Sequence, residues 1–159
     1  MISLRENICL RKACVLFKDN ITNGSKPADE VIGIYVHGSI NHGLGRQAAL
    51  VKLKGGNAST TSVAVANKVA MHVAASSPLA IDKNGIKKEI IDKELEIIKA
   101  EITNSGKPLE MAEKISKGKI AKFINDNTLL NQIWIMDPKK KVSDILKENK
   151  VDKEIKVLD

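Results

Sequence analysis

The chain has 159 residues, a formal net charge of +7 at pH 7, and only one Trp, one Tyr and two Phe. This length suffices for one domain with its own core, and no run approaches the roughly 20 apolar residues that a membrane helix needs. The charge invites a nucleic-acid partner, but acidic and basic residues interleave and nearly balance over residues 81–159, and so few aromatics argue against a base-stacking surface.

Three short segments near the start predict strands, because they are interpreted as rich in β-branched residues and are bounded by turn residues: Ile8–Phe17, Val31–His37 and Gln47–Lys54. The polar stretch 18–29 between the first two is predicted to be a loop. The Gly-rich stretch 38–45 is typical of a hairpin connection, which favours an antiparallel sheet.

A helix is predicted over Ser62–Ser76, since Val65, Val69, His72 and Val73 recur at helical spacing and alanines allow close packing on a sheet. Pro78 ends this helix. We expect the helix to cover one face of the sheet and His72 to be structural.

Two further helices are predicted, over Lys87–Asn104 and from Pro108 to about Asn125. Gly106 suits the left-handed position that ends the first helix, and the short connection makes the pair antiparallel. Five residues of the first helix share one apolar stripe, which a two-helix hairpin alone buries poorly: Ile90, Ile91, Leu95, Ile98 and Ile102.

After the hairpin, the sequence predicts a loop at Trp134–Asp137, a short helix over Val142–Asn149 and a last strand over Lys153–Leu158. The predicted fold class is α+β: an antiparallel sheet of three to four strands, covered by helices on one face, with an inserted antiparallel two-helix hairpin. Residues 1–80 and 127–159 form the two parts of the core, and residues 81–126 the inserted hairpin.

No catalytic or metal constellation is apparent. Three histidines, His37, His42 and His72, lack Cys or acidic partners at ligand spacing. The Gly43-x-Gly45 pair lacks the third glycine and the Lys-Ser/Thr of a phosphate loop, and no serine sits in a nucleophile elbow. We therefore expect neither an enzyme nor a cofactor.

Four blocks in one order carry a family resemblance. They are Glu6-Asn7-Ile8-x-Leu10-Arg11, Gly33-x-Tyr35-x-His37-Gly38, Met71-His72-Val73-Ala74-Ala75, and the stretch with Gly106-Lys107-Pro108, Glu113-Lys114-Ile115-x-x-Gly118-Lys119-Ile120-x-Lys122-Phe123 and Trp134 to Val142. This succession resembles elongation factor Ts, the nucleotide exchange factor of elongation factor Tu. No Thr-Asp-Phe occurs in these residues, whereas family members carry Thr-Asp-Phe-Val in a subdomain that precedes the matching part.

The resemblance implies a protein-binding module: the back half of the factor, a fragment that docks on elongation factor Tu during guanine-nucleotide exchange. It assigns partner contacts to His37, Ile135 and Met136, and to Leu4, although Arg5 replaces the family's Gly beside it. On its own, a His at a strand end such as His37 is more often structural. We expect Trp134 to point inward and its two apolar neighbours at least partly outward.

The resemblance also implies that the hairpin can serve a homodimer, through the stripe Ile91, Leu95, Ile98 and Ile102. Two alternatives stay open: a ribosome- or RNA-associated basic domain, and a self-associating hairpin protein without an exchange role. The start of the chain lacks the apolar region of an export signal. Cys9 and Cys14 are expected to be reduced, small, buried or half-buried side chains, so a cytoplasmic protein is predicted.

Overall fold

A computed structural model describes residues 9–16, 30–55, 60–104 and 109–158. The elements in chain order are β1 (Glu30–His37), β2 (Gln47–Gly55), α1 (Thr60–Ser76), a single 3-10 turn (Lys83–Gly85), α2 (Lys88–Asn104), α3 (Leu109–Asn127), α4 (Val142–Glu148) and β3 (Val151–Leu158). The α+β class is confirmed.

The three strands form one antiparallel sheet in the order β1-β2-β3. His37 lies opposite Gln47 in the first pair, and Leu53 lies opposite Ile155 in the second, which is followed by a bulge between Leu53 and Gly55. Strands β2 and β3 are neighbours in the sheet, but the helical hairpin lies between them in sequence. The chain therefore returns to the sheet after the inserted hairpin.

Helix α1 packs on one face of this sheet at very short range. Gly33 makes the approach geometrically possible, because a Cβ atom there would lie 2.1 Å from the carbonyl carbon of Ala66. Asn67 Oδ1 accepts a hydrogen bond of 2.9 Å from the backbone N–H of Ile34, which ties the helix to the strand. The core lies in this layer, which combines valines, alanines and Leu53 with Leu129 and Trp134.

The sheet also holds a buried ion pair that the sequence did not predict. Lys52 Nζ lies 3.0 Å from Glu30 Oε1, and their side chains are 6% and 3% exposed. Both residues alternate with Val31, Val51 and Leu53, so they lie on the face opposite α1. Breaking a buried ion pair costs more stability than breaking an exposed one, so both side chains are expected to matter for folding.

The helical hairpin leaves and re-enters the core through two adjacent segments. The backbone N–H of Leu79 donates to Asn127, and those of Leu129 and Leu130 donate to Ala80 and Ile81, at 2.9 to 3.0 Å. Along α2, only Ile98 and Ile102 are buried. Lys119 on α3 forms an ion pair with Glu101 on α2. The predicted antiparallel insertion is therefore present, with a shared root.

One predicted strand is wrong. Residues 9–16 of the predicted strand Ile8–Phe17 form no strand, and all of them except Leu16 are exposed. Val15 is the only β-branched residue among them, so the segment has little of the side-chain packing that stabilises a strand. The prediction of buried cysteines fails for the same reason, because Cys9 and Cys14 are exposed free thiols. The loop predicted at 18–29 lies outside the described residues.

Candidate partner-docking surface

The first exposed feature is the end of β1, where His37 projects from the sheet. Its Nδ1 lies 3.1 Å from the hydroxyl of Tyr35, and the two rings are 6.1 Å apart. Tyr35 itself packs against the core. The tyrosine thus orients an exposed imidazole from a rigid support, as a contact residue requires.

The β1–β2 turn carries two further exposed apolar side chains. Ile40 is 74% exposed and Leu44 is 58% exposed. The backbone N–H of Ile40 donates to the carbonyl of Leu44 at 2.9 Å, and Gly43 adopts a positive φ of 71°. Only glycine adopts such a φ readily, so Gly43 lets the turn close and present both side chains. We call residues 37–46 the hairpin tip.

The second exposed feature is formed by residues 132–141, which lie between α3 and α4 and which we call the Trp loop. Trp134 is only 4% exposed, whereas Ile133, Ile135 and Met136 are 61%, 43% and 41% exposed. The backbone N–H of Trp134 donates to the carbonyl of Lys140 at 2.9 Å, and its carbonyl accepts from Asp137 at 3.2 Å. A buried indole therefore anchors a closed turn whose neighbouring apolar side chains face outward.

Both features are tied to the carboxyl end of α1. Gln47, opposite His37 in the sheet, donates from Nε2 to the carbonyl of Ala74 at 2.8 Å. Gln132, at the start of the Trp loop, donates from Nε2 to the carbonyl of Ser76 at 3.4 Å. Because Ala74 and Ser76 belong to the same last turn of α1, the bases of the hairpin tip and the Trp loop lie at the same end of the core.

Three consecutive lysines of the Trp loop and one glutamate of α4 determine the charge around its exposed apolar side chains. The ammonium of Lys140 donates to both carboxylate oxygens of Glu148, at 2.7 and 2.8 Å. The hydrogen bond to Glu148 raises the pKa of Lys140, so this side chain stays charged. Lys139 and Lys141 are exposed. The apolar side chains of the loop are thus flanked by positive charge.

Comparison with known proteins identifies the family. The model of the family "Elongation factor TS" matches residues 1–158. Similar proteins are the elongation factor Ts of Anaplasma phagocytophilum, 39% identical over 73% of this chain and 40% of the relative, and that of Hahella chejuensis, 40% identical over 81% and 42%. The mitochondrial elongation factor Ts of Ostreococcus tauri is 40% identical over 86% of this chain and 37% of the relative.

The chain belongs to the elongation factor Ts family. It spans about two fifths of the length of the curated relatives it matches. The four sequence blocks that suggested elongation factor Ts therefore identified the family correctly.

Three of the four partner residues predicted from the resemblance to elongation factor Ts lie on the described surface. His37, Ile135 and Met136 are all exposed. Trp134 lies inward, and Ile135 and Met136 lie outward, as predicted. Leu4 lies outside the described residues. The role of these residues in binding stays a prediction.

The four residues of the predicted dimerisation stripe differ in how deeply they are buried. Ile98 and Ile102 are 3% and 6% exposed and already serve the hairpin of a single chain, whereas Ile91 and Leu95 are half-buried. A cavity of about 880 Å³ opens between α2 and α3, with Leu95, Ile102 and Ala112 in its lining.

Among the residues that the structure describes, no group of three or more His, Cys, Asp or Glu side chains is placed to hold a metal ion. The same part of the chain contains no helix of the length and hydropathy that crossing a membrane requires.

Sequence reasoning missed part of this surface. It treated Ile40 and Leu44 as ordinary turn residues and did not single out Ile133 or Gln132. Apolar side chains inside a Gly-rich connection were the available signal for the first two, since such a turn cannot bury them beneath itself. Gln132 gave no signal, because its partners lie in α1 and α3.

Proposed function

We propose that this chain binds elongation factor Tu and supplies docking for guanine-nucleotide exchange in protein synthesis. One observation supports the proposal above the others. The hairpin tip and the Trp loop, which carry His37, Ile135 and Met136, have their bases at the same end of α1 and present exposed apolar side chains from rigid anchors. Membership of the elongation factor Ts family supports elongation factor Tu as the partner.

The mechanism is differential binding. An exchange factor that prefers the partner state in which nucleotide is held weakly shifts the partner toward that state and accelerates GDP release. In this mechanism the Trp loop and the hairpin tip provide affinity, with no covalent step. The resemblance assigns the disturbance of the nucleotide site to a Thr-Asp-Phe-Val motif that these 159 residues lack. We therefore expect the chain alone to bind elongation factor Tu but to accelerate the release of GDP only weakly.

Paired substitutions test the docking surface. Met136→Ala should weaken binding to nucleotide-free elongation factor Tu by ~1–3 kcal/mol, because interface anchors typically contribute that much, and should leave the melting temperature nearly unchanged. Met111→Ala is the matched control, since Met111 is 57% exposed but lies on α3. Ile135→Ala and Ile97→Ala form a second pair, and His37→Ala extends the test to the hairpin tip.

Isothermal titration calorimetry measures the affinities, and stopped-flow release of a fluorescent GDP analogue measures exchange. Equal affinities for Met136→Ala, Ile135→Ala, His37→Ala and the unaltered chain would refute the docking surface. Full-sized acceleration of GDP release by this chain alone would refute the division of labour. Binding to bulk RNA with a steep salt dependence would instead favour the basic-domain alternative.

A second proposal concerns self-association through the hairpin. The cavity between α2 and α3 is lined by Leu95 and Ile102 of the stripe, and Leu95 is only half-buried. A second copy could cover them, as the resemblance implies. Light scattering across a dilution series tests this: Leu95→Glu should shift the dimer to monomer, and a monomer mass of the unaltered chain at all concentrations would reject self-association.

A further inference from the structure

His72 is the most deeply buried titratable side chain of the described core, and the docking surface does not use it directly. It lies on α1 with no exposed surface, and its ring stacks on the indole of Trp134 with centroids 5.3 Å apart and an interplanar angle of 21°. Its Nε2 lies 3.1 Å from Oε1 of Gln132. The imidazole thus contacts two residues of the Trp loop, one by stacking and one by a hydrogen bond.

The surroundings of Gln132 fix which nitrogen of His72 carries the proton. The Nε2 amide group of Gln132 faces two backbone carbonyls, that of Asp126 at 2.9 Å and that of Ser76 at 3.4 Å. Carbonyls only accept, so the amide nitrogen must face them and the amide oxygen must face His72. His72 therefore donates from Nε2–H. Its Nδ1 has no hydrogen-bond partner among the described residues.

This arrangement links three elements at one point. Gln132 joins the last turn of α1 at Ser76 to the last turn of α3 at Asp126, and its own carbonyl accepts from Val142 at the start of α4, at 3.1 Å. His72 satisfies the remaining acceptor of that amide and braces the face of Trp134. An apolar side chain at position 72 could fill the space but would leave a buried amide oxygen without a donor.

We propose that His72 is a positioning residue for the Trp loop. By stacking on Trp134 and donating to Gln132 it holds the indole inward, and so keeps Ile133, Ile135 and Met136 in the outward arrangement that docking uses. This inference rests on the proposed function, because it assigns His72 an effect on partner affinity that it exerts without touching the partner.

The test compares two substitutions in the full chain. His72→Phe retains a stacked ring but removes the donor, and His72→Gln retains a donor but removes the ring. Val65→Ala is the control for lost stability, since Val65 lies in the core on α1 and is 8% exposed. Each variant is compared with the unaltered chain at a temperature where circular dichroism shows it folded.

Two readouts separate positioning from a purely structural role. Acrylamide quenching of Trp134, the only Trp in the chain, should rise for His72→Phe and His72→Gln and stay unchanged for Val65→Ala. The dissociation constant for nucleotide-free elongation factor Tu should increase about tenfold for both His72 variants, the effect of losing one well-placed contact, and should not change for Val65→Ala.

Unaltered affinity of either folded His72 variant would overturn the part of the proposal that it tests: the donor for His72→Phe, the ring for His72→Gln. If neither folds, Gln132→Met decides, because it removes the acceptor and leaves His72 in place; unchanged affinity would then reject the proposal. Loss of affinity in Met136→Ala without loss in the His72 variants would reject positioning and retain docking. Unchanged affinity in all of them would reject the docking surface itself.

Discussion

The α1–sheet layer and the α2–α3 hairpin are built by opposite means. Helix α1 buries a continuous face against the sheet, with its backbone so near β1 that Gly33 has no room for a methyl group. The hairpin buries only Ile98 and Ile102 along α2 and adds an exposed ion pair between Glu101 and Lys119. Exposed ion pairs contribute little to stability, so we expect the layer to contribute more to the free energy of unfolding than the hairpin does.

The same contrast explains why the docking features are attached to α1. Hydrogen bonds from Gln47 and Gln132 end on carbonyls in its last turn, so both features are attached to the helix that packs on the sheet. A contact surface that is pre-organised loses little conformational entropy on binding.

The largest expected effect comes from Gly33→Ala. The new methyl group would lie 2.1 Å from the carbonyl carbon of Ala66 and 2.2 Å from its oxygen, and neither the helix backbone nor the strand can yield cheaply. We expect a loss of more than about 4 kcal/mol in the free energy of unfolding, the range reached only by a severe steric or packing defect. Urea unfolding followed by circular dichroism measures it. A loss below 1 kcal/mol would mean that α1 can move away from β1.

The second effect tests the stripe of the hairpin. Ile98→Glu places a charge at a position that is 3% exposed, and we expect a loss of about 3 kcal/mol because a carboxylate is costly to remove from water. Ile97→Glu is the control, since Ile97 is 54% exposed, and it should change stability by less than about 0.5 kcal/mol. Similar melting temperatures for both variants would show that the stripe is misplaced.

Most helices and strands of the fold were predictable from local signals in the sequence. The strands Val31–His37 and Gln47–Lys54 and the helix Ser62–Ser76 lie within about two residues of β1, β2 and α1, because turn residues and helical periodicity are local signals. Residues 9–16 were mispredicted because turn residues bound the segment although Val15 is its only β-branched residue.

The candidate site divides in the same way. The exposure of Ile135 and Met136 beside a buried Trp134 followed from the resemblance and from the shortness of the segment. The hydrogen bond of His72 to Gln132 joins residues 60 positions apart, and the buried Lys52–Glu30 pair joins residues 22 apart. Such pairings arise only when the elements pack, so no local pattern predicted them.

A third and smaller effect is a loss of stability in acid. Burial lowers the pKa of His72 below its ordinary value of 6.5, so the unfolded chain binds the proton more readily than the folded chain does. The stability that the neutral imidazole provides is complete above pH 6.5 and falls as the pH drops from there through the folded-state pKa, by about 1.4 kcal/mol for each pH unit between the two values.

Unfolding free energies measured by urea titration at several pH values between 7.5 and 5 check this dependence. His72→Phe should show a flatter dependence over the same interval, because it removes the group. An identical pH dependence in the unaltered chain and in His72→Phe would assign the acid effect to other side chains.

The smallest effect has the opposite sign and uses the same substitution type as the largest. Gly118 lies inside α3, and a Cβ atom there would meet no atom within 4 Å. Gly118→Ala should therefore stabilise the chain by about 0.5–1 kcal/mol, since glycine in a helix loses more backbone entropy on folding than alanine. Thermal unfolding measures the gain. Unchanged stability combined with weaker self-association would place Gly118 at a close contact between two hairpins. A loss of stability as large as that of Gly33→Ala would instead contradict the contrast between the tightly packed layer and the open hairpin.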